Sequence, residues 1–115
     1  MDQWVTQLRK GLVEFCLLRA LSGGRTYGYG LARRLRGLQA LAFTESTVYP
    51  ALARLAEEQL VAVTERSSSQ GPPRRYLSLT AKGKKRLAQM DTYWREVGRD
   101  LQSLQETLLP EDGNG

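Results

Sequence analysis

The chain has 115 residues, long enough for one domain around a single modest core and too short for two. With 17 Lys and Arg against 12 Asp and Glu it carries a net charge of +5, which suits a polyanionic partner. It has no histidine, one cysteine, no Gly-rich phosphate loop and no carboxylate cluster outside its solvated C-terminal helix. Acid–base, metal and thiol catalysis therefore lack their usual residues, and neither enzymatic activity nor a cofactor or metal is expected.

The charge is unevenly spread. Between Arg19 and Arg86 there are 13 basic and 4 acidic residues, whereas the two ends together are acidic, so an anion would bind the middle. Cys16 lies in the apolar run Phe15-Cys16-Leu17-Leu18 and reads as a small core residue. No window approaches the roughly 18 uncharged apolar residues a membrane span needs, and no signal-like cleavage pattern occurs. A cytoplasmic protein with no membrane partner is expected.

Residues 5–21 read as a first helix. Leu8, Leu12, Phe15 and Cys16 line one side, and Val13, Leu17, Leu18 and Leu21 extend the apolar surface around it. A stripe this wide must be covered from two directions, by the helix's own core and by another element or subunit. Ser22-Gly23-Gly24 ends it. A second helix is predicted from about Thr26, capped by that residue, with Leu31, Leu35 and Leu38 inside and Arg33, Arg34 and Arg36 outside. Gly28 and Gly30 lower its propensity by about 1 kcal/mol each, so close approach of a phosphate backbone or a neighbouring helix must favour them.

After a short connection comes the stretch the chain is organised around. Pro50 belongs in a first turn, placing the helix start near Ser46 or Thr47. Val48, Leu52 and Leu55 form its buried stripe, while Ser46, Pro50, Ala53 and Glu57 make a small-residue outer side that allows close approach to another surface. Two helices in this order fit a helix-turn-helix, the second entering a DNA groove; an ordinary amphipathic surface helix is the plainer reading. Residues 60–66 then read as a strand, 67–73 as a turn and 76–79 as a returning strand. At the base of this hairpin's tip, Arg74 and Arg75 can reach phosphate, or simply protect an edge strand by their charge.

From Thr80, a cap, the pattern is helical again. Leu87, Met90, Trp94, Val97, Leu101, Leu104 and Leu108 recur at alternating spacings of three and four, an a/d seam that predicts packing on a second copy. Packing on the first helix is the alternative. The expected organisation is a winged helix-turn-helix DNA-binding unit over residues 1–79, a dimerisation helix over 80–109 and a disordered tail over 110–115. The fold class is mainly α with a small β-hairpin.

Four stretches carry a resemblance: Tyr27-Gly28-Tyr29; Ser46-Thr47-Val48-Tyr49-Pro50-Ala51-Leu52 with Leu55; Gly71-Pro72-Pro73-Arg74-Arg75-Tyr76; and Leu79-Thr80-Ala81-Lys82-Gly83. In this order and spacing the chain resembles the PadR-type bacterial transcriptional regulators, in their small subgroup with a single C-terminal helix. The resemblance implies a homodimer on a palindromic DNA operator, usually a repressor, released by an aromatic or hydrophobic small molecule. It puts operator contacts on Tyr27, Ser46, Thr47, Tyr49, Arg74 and Arg75, most of which the residues also suggest by themselves. Arg33, Arg34 and Arg36 read rather as electrostatic background. In a two-fold dimer Trp94 approaches its own copy, and a flat ligand could stack there between walls formed by Trp4, Leu8, Leu12, Phe15, Met90 and Val97. Simple dimer packing is the competing reading of Trp94. A winged-helix module that binds another protein and no DNA is the competing function, opposed by the basic middle segment.

Overall fold

The structure, a computed structural model, describes residues 1–68 and 70–106. Leu108 and the expected tail lie outside the described residues. In chain order the elements are α1 (Asp2–Leu21), β1 (Thr26–Tyr27), α2 (Gly28–Arg36), α3 (Glu45–Glu57), β2 (Val61–Ser68), β3 (Gly71–Leu79) and α4 (Ala81–Gln105). The strands form one antiparallel sheet in the order β1-β3-β2.

One apolar core joins every helix to the sheet. Val13, Leu17, Leu18 and Leu21 of α1 meet Leu31 and Leu35 of α2, Val48, Ala51, Leu52 and Leu55 of α3, Val61 and Leu77 of the sheet, and Leu87 of α4. Burying a leucine or valine side chain contributes about 1.5–3 kcal/mol, so this cluster rather than helix propensity holds the short α2 in place. The other side of α1 is only partly covered: Leu12, Phe15 and Cys16 rest against the edge of the core. Burial pushes the Cys16 thiol above its ordinary pKa, with the Arg19 cation opposing, which keeps it protonated.

The structure corrects the predicted elements at several points. α1 begins at Asp2, whose carboxylate sits in the first turn where the helix dipole favours it. Thr26 is not a helix cap. It pairs with Leu77, and Tyr27 with Tyr76, because β3 presents a free edge there, so the hairpin becomes a three-stranded sheet. α2 consequently starts at Gly28 and stops at Arg36, leaving Leu38 40% exposed. Phe43, not Leu38, is buried in the core, and its amide donates to the Leu35 carbonyl.

The third helix starts at Glu45 after an extended Thr44, so Pro50 stands in its second turn rather than its first. Pro50 is exposed and lacks only the one amide that would have reached back to Ser46. Ser46 and Thr47 are thus inside the helix and do not cap it. In the wing, β2 runs to Ser68 and β3 begins at Gly71, with an irregularity between Arg66 and Ser68. The strands take up most of the span predicted as a turn, and Pro72 and Pro73 sit on the part of β3 that β1 does not reach.

The junction between α3, the wing and α4 is tight. Gln59 turns the chain with φ of 63°, and the Leu60 amide donates to the Leu55 carbonyl. The Leu60 carbonyl accepts from the Thr80 amide at 3.1 Å. As predicted, Thr80 caps α4: its Oγ1 accepts from the Gly83 amide and donates to the Gln59 carbonyl, while Lys82 Nζ donates to the Glu58 carbonyl. A Cβ on Gly83 would stand 2.0 Å from the Leu60 carbonyl oxygen, a backbone atom that cannot step aside. Gly83→Ala is therefore expected to lower stability by about 3 kcal/mol or more, read as a fall in Tm. Gly98→Ala in the same helix, where the added methyl meets nothing within 4 Å, should leave stability unchanged or raise it by up to about 1 kcal/mol.

Candidate nucleic-acid interface

The outward side of α3 is made of small or polar groups because its large ones are consumed by the core. Val48, Ala51, Leu52 and Leu55 face inward, and Ser46, Tyr49, Pro50, Ala53 and Glu57 face out. At its N-terminus the hydroxyls of Thr44, Ser46 and Thr47 cluster, Thr44 Oγ1 lying 2.9 Å from Ser46 Oγ and 3.2 Å from Thr47 Oγ1. Unspent amides and the positive end of the helix dipole make this a favourable place for phosphate. Glu45 would oppose that, but Arg36 Nη1 donates to its carboxylate at 2.8 Å. Arg36 thus has a defined partner and is more than background charge.

Beside this end lies a groove of about 510 Å³ between α2, α3 and the wing. It brings together Tyr27, Tyr49, Arg74 and Arg75 of the predicted contacts, with Tyr29, Pro72 and Pro73 added to the wall. Ser46 and Thr47 stand outside its lining, at the start of α3. The two wing arginines have different surroundings. Strand alternation turns neighbouring side chains to opposite faces. Arg75 Nε lies 3.6 Å from Glu65 of the facing strand, whereas the Arg74 guanidinium lies 5.0 Å from the centre of the Tyr27 ring.

Arg66, which sequence reasoning passed over, stands directly opposite Arg74 in the β2–β3 register. Like charges so placed repel, and a polyanion across them relieves the repulsion. Tyr29 was missed as a site residue although it belongs to a motif singled out in the sequence; Arg33 lies 5.8 Å over its ring. Only the strand pairing could have exposed Arg66, whereas the tyrosine spacing was already in view.

A second groove, of about 430 Å³, runs between α1 and α4. It collects Leu12, Phe15, Met90, Trp94 and Val97, and adds Tyr93; Trp4 and Leu8 are not part of it. Phe15 and Trp94 approach at 6.1 Å between ring centres, tilted by 59°. Of the heptad positions, Leu87 is taken up by the chain's own core, while Trp94, Leu101 and Leu104 stand 46%, 62% and 83% exposed. An ion pair between Arg19 and Asp91 ties α1 to α4 beside this region.

A helix with a small outer face, preceded by a short helix and flanked by an arginine-bearing two-stranded wing, defines a winged helix-turn-helix, a fold common among DNA-binding regulators. More closely, the chain belongs to the PadR-like family of transcriptional regulators, whose family model matches residues 17–89. It is similar to the crystal structure of a PadR-like transcriptional regulator from Bacillus cereus, with 32% identity, a TM-score of 0.77 and coverage of 89% of this chain and 99% of that one. A PadR-like transcription factor from Bacteroides fragilis is 32% identical at a TM-score of 0.74, covering 86% of this chain and 95% of that one. A PadR family regulator from Clostridium difficile R20291 is 25% identical at a TM-score of 0.74, covering 83% and 99% respectively. Among curated proteins none matches the chain significantly. No helix among the described residues is long and apolar enough to cross a membrane.

Proposed function

We propose that this chain is a repressor that binds a palindromic DNA operator as a homodimer and is released by an aromatic or hydrophobic small molecule. The observation that carries the DNA half is the convergence of Tyr27, Tyr49 and Arg74 on one groove beside the small outer face of α3. In this reading Ser46, Thr47 and Tyr49 meet base edges and phosphates in the major groove, and Arg74 and Arg75 of the wing hold the flanking backbone. Arg75 must first leave Glu65, an exposed pair worth about 1 kcal/mol at most.

The dimer half rests on the exposed apolar residues of α4. Met90, Trp94, Val97, Leu101 and Leu104 continue one seam, and among the described residues Trp94, Leu101 and Leu104 stand exposed, which supports coverage by a second copy. The incompletely covered side of α1 supports its inclusion in the same interface. A planar apolar effector would enter beside Trp94, between Phe15 and Met90. It would act by favouring an arrangement of the two α4 helices in which the recognition helices no longer match half-sites about 34 Å apart.

Three measurements test this. Binding to the promoter of the protein's own operon should weaken steeply with salt. In the Arg74→Ala, Arg75→Ala double variant, the slope of log K against log salt should fall by about 2; an unchanged slope removes the wing from the interface. Leu101→Lys with Leu104→Lys should give a monomer by light scattering and weaken operator binding at least tenfold, whereas a persistent dimer would place the interface elsewhere. Planar aromatic dyes should quench tryptophan fluorescence in the parent protein and not in Trp94→Leu. Equal quenching in both would rule out a site at Trp94.

A further inference from the structure

The wing carries a contiguous run of rings and guanidinium groups on one face of the sheet. Arg25 lies 5.4 Å over the Tyr76 ring, Tyr76 and Tyr27 approach at 6.1 Å, and Arg74 lies 5.0 Å over Tyr27. Strand pairing fixes the ring contact, since Tyr27 and Tyr76 are register partners between β1 and β3. Gly30 makes room for it: a Cβ there would stand 3.1 Å from Cε1 of Tyr27. Arg74 is therefore flanked on its two sides by opposite influences. In the β2 direction it faces Arg66, a like charge directly across the ladder. In the β1 direction it faces the negative π surface of Tyr27. Repulsion on one side and attraction on the other both favour the guanidinium beside Tyr27, with which it lines the groove.

We infer that Tyr27 is a positioning residue, whose ring holds the Arg74 guanidinium over the groove before DNA arrives, and that its hydroxyl is not its principal contribution. The inference rests on the DNA-binding reading given above and deepens it. A free arginine samples many rotamers, all but a few of which must be given up when it grips a phosphate. The Tyr27 ring makes that loss smaller by confining Arg74 beforehand. Arg75 lies beside Glu65 instead.

The test compares operator affinity and the solution signals of the Arg74 side chain in the parent, Tyr27→Phe, Tyr27→Leu and Arg74→Ala proteins and in the Tyr27→Leu, Arg74→Ala double variant. Leucine fills space over Gly30 without a π face, so it separates the ring's bulk from its charge distribution. Tyr27→Phe should bind within a factor of two of the parent, and Tyr27→Leu should lose roughly two- to fivefold. That loss should vanish in the Arg74→Ala background. In the free protein, the Arg74 side-chain protons should show a ring-current upfield shift that survives in Tyr27→Phe and disappears in Tyr27→Leu. A loss in Tyr27→Phe equal to that in Tyr27→Leu would assign the effect to the hydroxyl and overturn the inference. So would an undiminished loss in the double variant, or an absent upfield shift in the parent. The proton measurement needs no DNA, so it judges the stack separately: an intact shift alongside an Arg74→Ala protein that binds as well as the parent overturns the wing's role in DNA binding, and the inference with it.

Discussion

The carbonyl of Leu60 is the point on which the arrangement depends. The amide of Thr80 donates to it, and the bare Cα of Gly83 sits so close that no side chain fits between. That one contact joins the C-terminal end of α3, the first residue before β2, the last residue after β3 and the first turn of α4. Around it the Thr80 hydroxyl and Lys82 satisfy the carbonyls of Gln59 and Glu58. The left-handed turn at Gln59 costs on the order of 1 kcal/mol, which these hydrogen bonds offset. α3, the wing and the long helix therefore share one corner, which fixes the elements that line the groove of Tyr27, Tyr49 and Arg74.

From that corner the division of α1 follows. Its Val13, Leu17, Leu18 and Leu21 side is committed to the core that α3 needs, and its Leu12 and Phe15 side is left to α4. Only the first part of α4 reaches the core, at Leu87, with Met90 resting against it. Beyond it, a tryptophan and two leucines remain in water at a cost that grows with their area, about 25 cal/mol for each Å². The proposed dimer would remove that cost, and would place any ligand beside Trp94 in direct mechanical contact with the helix that carries the corner.

Electrostatics at the other end work by local cancellation and local excess. Glu45, at the very start of the recognition helix, is neutralised by Arg36, so the helix end keeps its attraction for phosphate. Across the wing the opposite holds: Arg66 and Arg74 are set against each other with no carboxylate between them in the register. Like charges directly across a ladder are destabilising, and a polyanionic partner would relieve that repulsion.

Much of this was legible in the residues because it is local. The order of helices and wing strands, the Thr80 cap, the inward stripe of Val48, Leu52 and Leu55 and the small outer face of α3 all follow from periodicity and capping within a few residues. What the sequence could not decide involved neighbours distant along the chain. Thr26 became a strand residue because β3 had a free edge, Phe43 rather than Leu38 is buried once α2 stops at Arg36, and Gly83 is required because the Leu60 carbonyl lies against it. Arg74 and Arg75 are indistinguishable as adjacent letters; only the sheet, by alternating their directions, gave one to a tyrosine ring and the other to a glutamate.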